Sequence, residues 1–204
     1  MNRKEHWEAI YKSKSPVEVS WYQQKPTISL ELIAKCSLST ADSIIDVGGG
    51  ASTLCDYLLE SGYNHLTVLD LSANALEHSK QRLGNKASSI DWQVVDVTKF
   101  SVPKYYDIWH DRAVFHFLTD ESDRKKYIDV LNASVKVGGH IIIAAFSIGG
   151  PTMCSGLSIV QYDKTKLKNE LGKNFTLVEQ RTEEHMTSIG NVQLFGYYLL
   201  VKNA

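Results

Sequence analysis

Three aspartates stand out because each sits in or at the end of a short apolar run. Asp46 lies inside Ser43-Ile-Ile-Asp-Val-Gly-Gly-Gly-Ala-Ser52, Asp70 ends Leu66-Thr-Val-Leu-Asp, and Asp96 follows Trp92-Gln-Val-Val. Gly48, Gly49 and Gly50 bring no side chain, so a bound molecule can approach their backbone closely. Free amides at the start of a helix just beyond them add donors. A carboxylate at Asp70 is suited to accept both hydroxyls of a ribose. Asp96 together with the backbone of Val97 suits an adenine edge. Further along, His110-Asp-Arg-Ala-Val-Phe-His116 is the densest polar cluster. There His110 is a candidate base near neutral pH, and Asp111 a candidate acceptor for an amine. Arg112 is a candidate partner for an acidic substrate or for Asp111. His116, set among Val114, Phe115, Phe117 and Leu118, reads as a satisfied structural partner.

A nucleoside site of this kind serves either a dinucleotide or S-adenosylmethionine (SAM). A dinucleotide loop wants G-x-G-x-x-G, and Thr53 stands where the third glycine belongs. Asp46 would repel a pyrophosphate and attract the ammonium of a methionine moiety. Those two residues favour SAM over NAD. Trp7, Trp21 and Tyr22 offer aromatic faces that suit a cation such as a sulfonium.

These residues need a scaffold that gathers them. Ile44, Ile45 and Val47 read as a buried strand, and a helix with Leu54 and Leu58 follows it. Leu66–Leu69, Trp92–Val95 and Tyr106–Trp109 read as three more strands. The stretch from Ser72 to Leu83 and the stretch 121–136 read as helices, the second stopped by Gly138-Gly139. Ile141–Phe146 is an apolar fifth strand of the kind found at the centre of a covered sheet. Such alternation predicts an α/β fold with a mostly parallel sheet and helices on both faces. The cluster at 110–116 is then expected just after the fourth strand, at the ligand end. A helix near 163–171 and two strands, Phe175–Val178 and Gln193–Val201, predict an antiparallel hairpin at one edge. His185 falls between those strands. The long loop from Ser147 to Gln161 is expected to shape an acceptor pocket, with Cys154 inert. Residues 1–40 read as an N-terminal extension packing over the cofactor and acceptor site, and 41–204 as the main domain.

At these motifs the chain resembles the class I SAM-dependent methyltransferases. Asp46-Val-Gly-Gly-Gly-Ala-Ser52 is similar to their first motif, and Val68-Leu-Asp-Leu-Ser72 to the ribose-binding segment. Val94-Val-Asp-Val97 is similar to the adenine-contacting motif. Tyr106-Asp-Ile-Trp-His-Asp-Arg112 is similar to the fourth-strand motif beside the methionine end and the acceptor. The resemblance implies a Rossmann-like three-layer sandwich whose seven-stranded sheet carries an antiparallel last strand. It implies a cofactor site of Trp21, Asp46, Gly48, Gly49, Gly50, Ser52, Asp70, Leu71, Asp96, Val97 and His110. The expected catalytic group is His110, Asp111 and Arg112, with no metal.

Composition narrows the partners. The 204 residues carry 22 basic and 23 acidic side chains, so no strong positive field for nucleic acid or membrane is expected. Three cysteines without a CxxC fit reduced thiols in a cytoplasmic protein. A monomer or dimer acting on a small molecule is the leading expectation. A protein (lysine) methyltransferase is the nearest alternative, followed by an NAD-dependent oxidoreductase and a non-catalytic SAM-binding module.

Overall fold

Alternation of apolar residues along each strand decides this architecture, because successive side chains go to opposite faces. The computed structural model describes residues 2–101 and 104–203. Five strands run parallel: β1 (Ser43–Val47), β2 (His65–Asp70), β3 (Ile90–Val94), β4 (Tyr106–Arg112) and β5 (Val135–Phe146). Beyond them come a two-residue pair, β6 (Met153–Cys154) and β7 (Leu157–Ser158), then β8 (Phe175–Met186) and β9 (Val192–Lys202). The seven-stranded sheet has the order β3-β2-β1-β4-β5-β9-β8, and β9 is antiparallel to both its neighbours. Ile141, Ile143 and Ala145 enter one core with Tyr127, Leu131, Leu167 and Leu171, from α5 (Glu121–Ser134) and α6 (Lys164–Leu171). Ile142, Ala144 and Phe146 enter the other core. That core includes residues of α2 (Thr27–Lys35), α3 (Leu54–Glu60) and α4 (Ala73–Leu83). Helix α1 (Arg3–Ser13) is capped by Asn2 in a reciprocal box with Glu5.

Four sequence expectations need correction. First, β4 runs through Arg112, so His110, Asp111 and Arg112 lie within the strand rather than after it. Second, α5 passes into β5 without a loop, and Gly138-Gly139 lie inside the strand instead of stopping the helix. β-Branched Val135 and Val137 favour the change to strand, and the register between β4 and β5 shifts at Tyr106/Ile108. Third, β8 extends to Met186, so His185 is a strand residue. The polar run Glu179-Gln-Arg-Thr-Glu-Glu184 hides this strand, since an exposed edge is normally protected by charge. Fourth, the stretch expected as a long loop holds the small β6–β7 hairpin.

Candidate active site

At the carboxyl ends of the parallel strands lies a cavity of about 840 Å³ including its open mouth. Asp70, Leu71, Asp96 and Val97 line one end, below β2 and β3. Arg112, Phe117, Cys154 and Phe195 line the other, below β4, β6 and β9. A second cavity of about 540 Å³ shares Tyr11, Trp21, Gly48 and Arg112 with the first, and adds Asp46, Gly49, Ser52 and His110. Gly50 lines neither. It underlies the site instead: a Cβ there would lie 2.6 Å from Asp70 Oδ2. On Gly49 a Cβ would lie 2.4 Å from Asp46 Oδ2. The loop thus rests directly on both carboxylates, which only residues without side chains permit. Gly48 also has φ +69°, the left-handed region.

Register brings the polar groups together. Asp46 on β1 stands opposite His110 on β4. The Asp46 carboxylate is 2.7 Å from His110 Nδ1, and His110 Nε2 is 2.8 Å from the Ser29 hydroxyl of α2. Both ring nitrogens of His110 are therefore engaged. Arg112, two residues on, faces the same side. Its Nε donates to the Tyr197 hydroxyl at 2.8 Å and another nitrogen to the Trp21 carbonyl at 2.9 Å. The guanidinium lies over the Phe195 ring at 4.6 Å and within 3.5 Å of Glu183.

Asp111 is a correction. Between His110 and Arg112 the strand turns it to the opposite face, toward α5, where it lines neither cavity. Fully buried, it accepts from the Tyr127 hydroxyl at 2.6 Å and the amides of Val114 and Phe115 at 2.9 and 3.1 Å. Burial pushes its carboxyl up to about 6 against those donors. It braces the turn after β4 rather than meeting an acceptor. His116 is also outside both cavities, stacked on Phe146 at 4.8 Å, and burial pulls its pKa down to about 3. His185 bonds the Ser20 carbonyl at 2.8 Å. Cys154 lines the larger cavity, its thiol pushed up to about 11 by burial.

Several site residues carried no signal in the sequence. Ser29 is one, since a serine in a helix tells nothing of its partner. Tyr11 is another: it lines both cavities and accepts from Trp21 Nε1 at 3.1 Å. Thr53, which excluded a dinucleotide loop, donates to the carbonyls of Gln23 and Gln24 at 3.1 and 3.3 Å. Glu8 of α1 accepts from the Ser72 hydroxyl and the amides of Ala73 and Asn74 at 2.8–3.1 Å. It thereby caps α4 from outside, and although burial opposes this, those bonds hold its carboxyl below the usual range. Glu8→Ala is expected to cost about 1–2 kcal/mol, as loss of a helix cap does. Faster hydrogen exchange across residues 3–13 would show α1 loosening from α4.

The chemistry of the site fits a sulfonium nucleoside. Asp70 is buried, and among the described residues no cation pairs with it. Burial, with smaller pushes from Asp46 and Glu8, raises its carboxyl to about 7. A carboxylate left in that state gains from hydroxyl donors. The family described as a methyltransferase domain matches residues 44–139, which run from β1 into β5. The chain belongs to the class I SAM-dependent methyltransferases. Human EEF1A lysine methyltransferase 2 is 23% identical over 195 residues, 88% of this chain and 77% of that protein. The N-methyltransferase NodS of Bradyrhizobium japonicum WM9, solved with S-adenosylhomocysteine, superposes with a TM-score of 0.68 at 21% identity. That superposition covers 89% of this chain and 90% of NodS. A structure reported for conversion of a disulfide bond into a thioacetal group in echinomycin biosynthesis gives a TM-score of 0.78 at 15% identity. It covers 99% of this chain and 92% of that one. This methyltransferase takes SAM as its cofactor. Among the described residues no helix is long and apolar enough to cross a membrane, and no three metal-binding side chains gather.

Proposed function

We propose that this methyltransferase acts on a small-molecule acceptor, with residues 1–40 serving as the cover of the site and 41–204 as the catalytic domain. SAM supplies an activated methyl on a sulfonium. The chain's own task is to place two reactants in line and keep water out. Asp70 accepts the ribose hydroxyls beside Leu71, and Asp96 with Val97 addresses the adenine. Gly48–Gly50 and Ser52 let the cofactor approach the loop. Asp46, held by His110, gives the methionine ammonium a negative neighbour, with Trp21 above. His110 therefore serves in orientation. Arg112 lies at the acceptor end.

One observation carries the small-acceptor reading: the acceptor end is roofed. Trp7 and Trp21 meet edge to face at 5.5 Å, and Trp7 meets Phe117 at 5.1 Å. Arg112 ties the Trp21 carbonyl to the end of β4. A roofed aromatic chamber suits a molecule that is enclosed whole. The protein-lysine reading draws on the human relative, which is named for lysine methylation. The test is incubation with methyl-labelled SAM and a cell extract split by size. Label in the low-mass fraction is expected; label confined to protein would establish the second reading instead. A cytoplasmic setting accords with the free cysteines Cys36, Cys55 and Cys154, all buried.

A further inference from the structure

We propose that the acceptor is a small thiol that reacts as its thiolate, drawn in by the Arg112 guanidinium. This rests on the small-acceptor reading above. The first support is the lack of a usable base at the acceptor end among the described residues. The titratable groups lining the larger cavity there are Arg112 and Cys154; Asp70 and Asp96 lie at the other end. On the α1 side of that cavity, Arg3 is a cation and burial pushes the Tyr11 phenol up, so neither takes a proton. Asp111 faces α5, His116 is sealed against Phe146, and both nitrogens of His110 are engaged. An alcohol would need a base at the moment of attack. An amine would arrive as a cation, with a pKa of about 10.4 if alkyl, and would meet Arg112.

The second support is the wall itself. Arg112 presents a fixed positive charge to the cavity, over the Phe195 ring, while Glu183 lines neither cavity. Glu183 also accepts from the Tyr197 hydroxyl at 2.8 Å and from Gln23 at 2.6 Å. A neighbouring cation favours a thiolate, and Cys154 in the same wall feels that pull from Arg112 although its own burial outweighs it. The other wall groups, Trp7, Trp21 and Phe117, are aromatic. They strip water from an incoming anion, which penalises a strongly hydrated carboxylate more than a polarisable sulfur, and sulfur packs well against rings. The step balances without a further reactant. The thiol proton leaves to water before attack. A sulfur lone pair forms the new C–S bond to the methyl carbon, and the sulfonium–methyl bond breaks with its electron pair kept by the cofactor sulfur. The products are a methyl thioether and the demethylated cofactor.

The groups that face Arg112 are Trp21 from the leading segment, Glu183 on β8, Phe195 and Tyr197 on β9 and Cys154 on β6. His110 precedes it on β4, and His116 and His185 lie within its field. A rate midpoint that follows the thiol used, at saturating SAM, cannot belong to any of them. The test uses the full chain with methyl-labelled SAM and four probes: thiophenol, the less acidic benzyl mercaptan, benzylamine and phenylacetate, with a protein extract in parallel. Both thiols are expected to be methylated at least 100-fold faster than the amine and the carboxylate. The two midpoints should differ as the two thiols' own solution values do. Arg112→Gln should raise both midpoints by about one pH unit, and Arg112→Lys should raise them less. Quenching of Trp7 and Trp21 fluorescence by benzyl mercaptan, with S-adenosylhomocysteine bound, should strengthen as pH rises in the native chain only. If Arg112→Gln does not fold, the two thiol midpoints in the native chain decide, and coincident midpoints refute the idea. Methyl transfer to benzylamine or phenylacetate overturns the thiolate while keeping a small acceptor. Label in extract protein alone overturns both, and no product from either thiol overturns the thiolate.

Discussion

Asp70→Asn is expected to weaken SAM binding by about 10²- to 10³-fold, the worth of two charge-assisted hydrogen bonds, while making the ligand-free protein more stable at pH 8. The two effects share one cause. Burial lifts the Asp70 carboxyl from 3.8 to about 7. A folded-state value above the unfolded one means that the native chain holds this proton more tightly. The group's favourable contribution is therefore full below pH 4 and is lost as pH rises through 7. Asparagine removes that penalty, which is about 2–4 kcal/mol from the size of the shift. Ribose hydroxyls reverse the preference, because they bond best to the ionised form. SAM affinity should accordingly be flat above about pH 7 and fall by up to tenfold per unit below it. Calorimetric titration between pH 5.5 and 8.5, with a thermal melt of each ligand-free protein, measures both signs. An Asp70→Asn chain that binds SAM as the native one does would remove Asp70 from the ribose site.

The second large effect is on stability. Asp111→Ala leaves the Tyr127 hydroxyl and the amides of Val114 and Phe115 buried without their acceptor. Stranding buried donors in this way costs about 3–5 kcal/mol, or a fall in melting temperature of about 10 °C for a chain of this size. SAM affinity, measured well below the melting point, should change far less than with Asp70→Asn. If activity vanished without a change in melting temperature, Asp111 would be a reacting group after all.

Those two aspartates also mark how far the sequence could be read. The order of strands and helices from 43 to 146 was legible because buried strands leave unbroken apolar runs and glycines punctuate them. Asp46, Asp70 and Asp96 were locatable because each follows or interrupts such a run. The sense in which His110, Asp111 and Arg112 divide between two faces was not. It depends on where β4 ends, and ending the strand at Trp109 erases the alternation that sends Asp111 to α5. β8 was half hidden because an edge strand needs little apolar surface and this one is charged along its length. Glu8, Tyr11 and Ser29 needed the fold itself. Their partners Ser72, His78 and His110 lie between 64 and 81 residues away in the chain.

The leading segment is fastened to the central strands and helices and, separately, to the tail. Ser20 is held by His185, Gln23 by Glu183, Glu31 by Arg181 and Lys35 by Glu179, all four partners on β8. During synthesis the first forty residues leave the ribosome long before these anchors exist. The segment's ties to α4, β4 and α5 need no part of the final hairpin, and the ceiling of the crevice gains these last four fastenings when that hairpin docks. Cofactor meeting the newborn polypeptide would find a berth whose covering is not yet fully secured.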